Sequence, residues 1–259
     1  MSMLPVLFIS HGPPAIALSD WPAARFLRGL GALLPRPQAV LCVSAHWETL
    51  APQLVDGGRG SLIHDFAGPA QLLERSYRPP EAPDWMSRVA EALHDQRLPV
   101  AFDLERGLDH GAWIPLSLIY PRAPLPVIQL SLQTDAQAAH HAAVGAALAP
   151  LRREGLLIVG SGGAVHNPDE IEPGADKAPP KPFVLAFDAW LEAAITAGDL
   201  NALMDYRRQA PSPERSHPYP AEHFLPLLVA AGAAEGRPGT LLHRSFLYAT
   251  LSMTAYRWD

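Results

Sequence analysis

The sequence predicts an α/β fold, and three observations carry that prediction. Short apolar, partly β-branched runs of strand length recur at residues 5–10, 39–43, 126–132 and 156–159, as buried strands of a parallel sheet require. Stretches with apolar residues at helical spacing separate these runs. Three of the strands also lead into a histidine flanked by Gly or Ser, at His11, His46 and His166. In an open α/β sheet that position is the carboxyl edge, where ligands bind.

Each element has its own justification. The first strand, residues 5–10, ends in His11-Gly12-Pro13-Pro14. Residues 21–34 then carry apolar residues at helical spacing (Trp21, Phe26, Leu27, Leu30 and Leu33), and Pro35-Arg36-Pro37 stops that helix. Strand, helix and second strand together make a parallel crossover. The second strand, residues 39–43, runs into Ser44-Ala45-His46-Trp47. Residues 48–82 are less regular. Helices are expected at 85–93, at 113–120 after the turn Gly107-Leu108-Asp109-His110-Gly111, and over the alanine-rich stretch 136–152. Strands are expected at 99–102 and 126–132. The strand 156–159 runs into Gly160-Ser161-Gly162-Gly163-Ala164-Val165-His166-Asn167. Residues 168–182 and 209–220 are proline-rich loops, and the first is long enough to suggest a functional segment. One helix, broken near Gly198, covers 183–206; another covers 222–231, and a last strand 247–256. No repeat, linker or composition break divides the chain, so residues 1–259 read as a single domain.

Composition excludes several function classes. A hydrophobic content of 48% against 18% charged residues is that of a folded globular chain. The net charge of −6 argues against nucleic acid or an anionic membrane as partner. Lys177 and Lys181 are the only lysines, which disfavours a P-loop or Schiff-base mechanism. Cys42, the single cysteine, reads as a small buried hydrophobe and leaves no disulfide framework or thiolate metal site. The N-terminus has neither a basic leader nor an apolar run of membrane length, so a cytoplasmic location is expected. Oligomeric state has no signature in the sequence.

Of eleven histidines, His94, His140, His141 and His243 sit where nothing nearby needs a ligand. His11, His46 and His166 differ by position, each following a buried strand where small neighbours allow close backbone approach. His223 adds a local argument. Pro226 is tolerated only in the first turn of a helix, so the helix is expected to begin near Ala221–Glu222, with His223 at its N-terminal end. Glu222 competes with His223 as a ligand. Neutral imidazoles suit Zn(II) or Fe(II), so spacing alone points to three or four histidines around one divalent metal, without naming a reaction.

The motifs His11-Gly12-Pro13-Pro14, Ser44-Ala45-His46-Trp47, Ile63-His64-Asp65-Phe66, Asp109-His110-Gly111, Ser161-Gly162-Gly163 through His166-Asn167, and Glu222-His223 through Leu228 resemble, in order, those of the 4,5-DOPA dioxygenase family. These are class III extradiol ring-cleaving dioxygenases of the LigB-like superfamily, related to the catalytic subunit of protocatechuate 4,5-dioxygenase. The resemblance runs from residue 5 to about 254. It implies a mixed, mostly parallel central sheet with helices on both faces, and a non-haem Fe(II) site acting on a small aromatic substrate and O2. By position in the motifs, His11, His46 and His223 match metal ligands, and His166 an acid/base or a further metal contact. His110 matches a substrate-side catalytic histidine, and His64 and His217 are candidates for substrate binding.

The wider superfamily has a glutamate as third ligand, whereas this chain has His223 beside Glu222. An all-histidine set also suits Zn(II). The resemblance therefore implies extradiol opening of a catechol to a muconic semialdehyde, with His166 as base and the loop 168–182 as lid. A zinc-dependent hydrolase and a non-catalytic binding protein of the same fold are the alternatives.

Overall fold

The computed structural model describes residues 3–133, 135–172 and 174–259; Pro173 of the proline-rich loop lies outside the described residues. The strands, in chain order, are β1 (Val6–Ser10), β2 (Ala39–Glu48), β3 (Gln53–Asp56), β4 (Ala101–Asp103), β5 (Val127–Leu132), β6 (Leu156–Gly162), β7 (Thr240–His243), β8 (Phe246–Leu247), β9 (Leu251–Ser252) and β10 (Ala255–Trp258). Eight of them form one sheet in the order β4-β3-β5-β2-β6-β1-β10-β7. The centre, β5-β2-β6-β1, is parallel. On one side β3 pairs antiparallel with β5, and on the other β10 pairs antiparallel with β1 and β7. The sheet is thus mixed, with a parallel heart, and the chain folds as a single α/β domain around it.

The helices are α1 (Pro22–Leu33), α2 (Ala70–Leu73), α3 (Pro83–Asp95), α4 (His110–Ile119), α5 (Ala138–Leu148), α6 (Pro182–Ala197), the short α7 (Leu200–Met204), α8 (Tyr206–Gln209) and α9 (Pro213–Ser216), and α10 (Leu225–Ala233). Their distribution follows from strand alternation, which sends successive side chains to opposite faces. Val6, Phe8, Leu41, Val43, Ile128, Leu130 and Ile158 pack against α3, α5, α6 and α10. Leu7, Ile9, Val40, Cys42, Val127, Leu157 and Val159 pack against α1 and α4. The central strands are buried on both faces, which is why they read as continuous apolar runs.

Several boundaries differ from the sequence expectation, each for a local reason. The long helix does break at Gly198, whose φ of 69° caps α6. The last strand divides into the β8–β9 hairpin and β10, because Tyr248 and Ala249 take positive φ between them. The short strand β3 lies inside the stretch expected to be irregular. Helix α10 starts at Leu225 rather than near Glu222: Ala221 has a φ of 63° and residues 222–224 form a turn, closed by the Phe224 N–H on the Ala221 carbonyl at 2.9 Å. Pro226 still occupies the first turn of α10. No described helix is long and apolar enough to cross a membrane.

Candidate active site

Because β1, β2 and β6 are parallel neighbours, their carboxyl ends share one edge, and His11 stands immediately after β1. His46 lies within β2 rather than beyond it. The register of β2 against β5 slips between Val43 and Glu48, a bulge that re-aims the side chains inserted there. His223 arrives from the turn before α10. It can approach because β6 ends in glycine: a Cβ on Gly162 would lie 2.2 Å from the His223 carbonyl oxygen, and the Gly163 N–H donates to that oxygen at 3.0 Å. Gly111, in the first turn of α4, serves the same end, since a Cβ there would meet Ser44 Oγ at 2.4 Å and His46 Cδ2 at 2.8 Å. Gly12, at a φ of 63°, turns the chain away after His11.

The ring centres of His11, His46 and His223 are separated by 5.0, 5.2 and 5.0 Å. Three imidazoles on one tetrahedral ion, through bonds of roughly 2.0–2.1 Å, place their centres about 5 Å apart. The two Nε2 atoms of His11 and His46 face each other at 3.1 Å. Neighbouring groups leave the inner nitrogens free. The Ser161 hydroxyl donates to the Gly111 carbonyl at 2.5 Å, so its oxygen accepts from His11 Nδ1 at 3.1 Å. Glu222 accepts from His223 Nδ1 at 2.8 Å. Partners on the outer nitrogen that fix tautomer and ring orientation are what metal-binding histidines require. Glu222 thereby acts on His223 from outside, although its carboxylate also lies within 4.8 Å of ligand atoms on His166 and His223. Ligand atoms of His11, His46 and His110 lie within 4.8 Å of one another, as do those of His166, Glu222 and His223, so each of these adjoining groups has the donor chemistry to fit a divalent cation.

His166 stacks face to face on His223, 3.5 Å between ring centres and 10° between planes. Its backbone N–H donates to the Ser216 carbonyl and Asn167 Nδ2 donates to the Arg215 carbonyl, so the second proline-rich loop holds this turn. His110 opens α4 with its ring 3.9 Å from that of His46, and its Nδ1 bonds Asp65 Oδ1 at 2.6 Å. Under the cluster, fully buried Asp109 caps α4 and accepts from Ser44 Oγ at 2.7 Å and from Gln129 Nε2.

His11, His46, His110, His166 and His223 line a cavity of ≈ 160 Å³ whose other walls include Pro13, Pro14, Ile171, Leu251 and Met253. An apolar cavity of ~150 Å³ accommodates a benzene ring. Ile171 reaches the cavity from the first turn of the loop 168–182. That turn is anchored by Glu170, which bonds Arg215 at 2.5 and 3.1 Å and Lys181 at 3.0 Å.

The remaining two expected site residues lie elsewhere. His217 is buried beneath the His166 turn, bonding the Ala164 carbonyl at 3.0 Å among Phe187 and Phe224. It supports the turn and does not line the cavity. His64 packs beside Trp113 and Phe66, also outside the lining. Asp65, Ser161 and Asp109 were present in the motifs without a role. Adjacency misleads here, because Asp65 neighbours His64 in the chain but pairs with His110 in space.

Burial disfavours protonation of His11, His46, His166 and His223. It lowers His11 and His223 well below the ordinary histidine value, and the neighbouring imidazoles add to the effect. His46 is pushed down to about 4 by burial and then by His110, against the opposing pull of Asp109, Asp65 and Glu222. His166 also falls to about 4, through burial and His46, with Glu222 opposing. Neutral imidazoles are the ligand form.

The family model for the catalytic LigB subunit of aromatic ring-opening dioxygenase matches residues 5–258. A 4,5-DOPA dioxygenase extradiol of Beta vulgaris is 41% identical over 257 residues, covering 97% of this chain and 95% of the relative. One of Escherichia coli K12 is 37% identical, covering 96% and 93%. The crystal structure of an uncharacterized E. coli K12 protein superposes with a TM-score of 0.84 at 34% identity, over 99% of this chain and all of that one. With its histidine cluster at the carboxyl edge of the sheet and a match that spans nearly every residue, the chain belongs to the LigB family of aromatic ring-opening dioxygenases, in its extradiol branch.

Proposed function

We propose that this site opens the ring of a catechol beside its two hydroxyls, with both atoms of O2 entering a muconic semialdehyde. The observation that carries this reading is the equal spacing of His11, His46 and His223 around one point on the wall of a ring-sized cavity. These three would hold Fe(II), which supplies the electronic contact between an aromatic diol and O2. An all-imidazole set also binds Zn(II) well, so zinc competes for the site as an unproductive ion.

The chain's own residues would do the rest. Pro13, Pro14, Ile171 and Met253 sandwich the ring and keep water off it. His166, neutral at physiological pH, takes a proton from a substrate hydroxyl and returns it to the opened product. His110 faces the diol from the α4 side. We place the reaction in the cytoplasm, where a lone buried thiol such as Cys42 stays reduced.

The test is anaerobic Fe(II) reconstitution followed by catechol, DOPA and protocatechuate in air, read by an oxygen electrode and by absorbance. O2 uptake with a yellow semialdehyde is expected for at least one of them. No uptake with any, from protein shown to hold iron, overturns the proposal. Cleavage of an ester or amide without O2 would instead mark a zinc hydrolase.

A further inference from the structure

We infer that Asp65 is the positioning residue that sets the tautomer of His110, and so makes that histidine an acceptor toward the substrate. The inference rests on the ring-cleavage reading above. His110 has one nitrogen to offer the cavity and one that needs a partner elsewhere. Asp65 Oδ1 stands 2.6 Å from Nδ1, whereas Asp65 Oδ2 stands 3.8 Å from His46 Nδ1, beyond hydrogen-bond reach. The carboxylate therefore serves His110 and not the neighbouring ligand.

Nothing about Asp65 suggests a role in holding up the fold. It sits in the irregular stretch between β3 and α2, its side chain about one-third exposed at 32%. Its carboxylate bonds the His110 ring and its own backbone N–H. The ring of Phe66 packs edge-on against His110 at 5.4 Å between centres, so the imidazole is fixed by contact as well as by its bond. A carboxylate accepts and cannot donate, so Nδ1 carries the proton and Nε2 offers a lone pair. A catechol hydroxyl placed against His110 then donates to it. The opposite tautomer would present N–H to the hydroxyl and leave its proton with no acceptor on this side of the ring.

Asp65→Asn separates these cases, because an amide can donate to Nδ1 and reverse the tautomer. The same exchange at the buried aspartate of a serine-protease triad lowers kcat by about 10⁴. The expected result for Asp65→Asn is a 10²–10⁴-fold fall in kcat with bound iron per chain and KM little changed, and Asp65→Glu recovering most of the rate. In the Zn(II)-loaded protein, a strongly downfield proton resonance from the short His–carboxylate bond is expected in the wild type. It should vanish in both Asp65→Asn and His110→Ala. A kcat within threefold of wild type, or iron lost in step with activity, overturns the assignment, the latter because it would tie Asp65 to His46. If the wild type consumes no O2 with any catechol, the ring-cleavage reading has failed, and the resonance decides the tautomer alone: its absence from the wild type overturns it.

Discussion

Five imidazoles crowd the carboxyl edge of the sheet, and the outer bonds that His11, His110 and His223 make separate their roles. His11 and His223 have Nδ1 tied to Ser161 and Glu222, so their inner nitrogens are free to ligate. Among the described residues the ring of His166 has no such tie, and it lies flat on His223. Substituting the two should therefore give different losses. His223→Ala should lower metal affinity at least tenfold, as removal of a ligand does. His166→Ala should retain the metal while kcat falls by roughly 10²–10⁴, the usual contribution of an acid/base group. Metal analysis alongside oxygen uptake checks both. Equal metal loss in the two variants would make His166 a ligand as well.

At the level of elements, the site depends on how closely α10 and its preceding turn sit on β6. The glycine at the end of β6 allows this, because any side chain at Gly162 would overlap the His223 backbone, which cannot swing aside as a flexible side chain could. Gly162→Ala should accordingly displace the His223 turn, leaving a folded protein whose metal affinity drops at least tenfold by titration. Affinity equal to wild type would show that the turn can shift without moving the ring. The elements also show where the sequence could be read and where it could not. Strands β1, β2, β5 and β6, buried on both faces, were legible as apolar runs, and Gly198 and Pro226 marked real helix punctuation. The bulge that puts His46 inside β2 was not legible. Nor was the turn that delays α10 to Leu225, since a positive φ at Ala221 is imposed by packing rather than by residue type.

For the whole molecule, the clustered histidines couple stability to pH. In the metal-free protein His46 and His166 titrate at about 4, and His217 at about 3, against an ordinary value near 6.5. Below pH 6.5 the unfolded chain takes up protons on these rings that the folded chain refuses, so acidification favours unfolding. The loss grows as pH falls toward about 4 and is absent above 6.5. Each such imidazole costs the fold up to about 2 kcal/mol at pH 5, from 1.36 kcal/mol per pKa unit. Thermal unfolding in chelator should show Tm level down to about pH 6.5 and falling steadily from there to pH 5, and bound metal should raise Tm at pH 7. A flat profile would mean the rings are more hydrated than their burial implies.

Local pattern determined much about this chain by itself: the α/β class, most strand and helix positions, and the histidines that end up at one edge. Periodicity and strand-terminal residues are properties of short segments, and six motifs in order carried the family resemblance. Only the tertiary structure decided which groups partner those histidines. Asp65 reaches His110 across 45 residues and Ser161 reaches His11 across 150, while His217, a candidate for substrate binding in the sequence, is consumed in supporting the His166 turn. A hydrogen bond between distant segments depends on where the sheet and helices bring their backbones, and no local propensity records that.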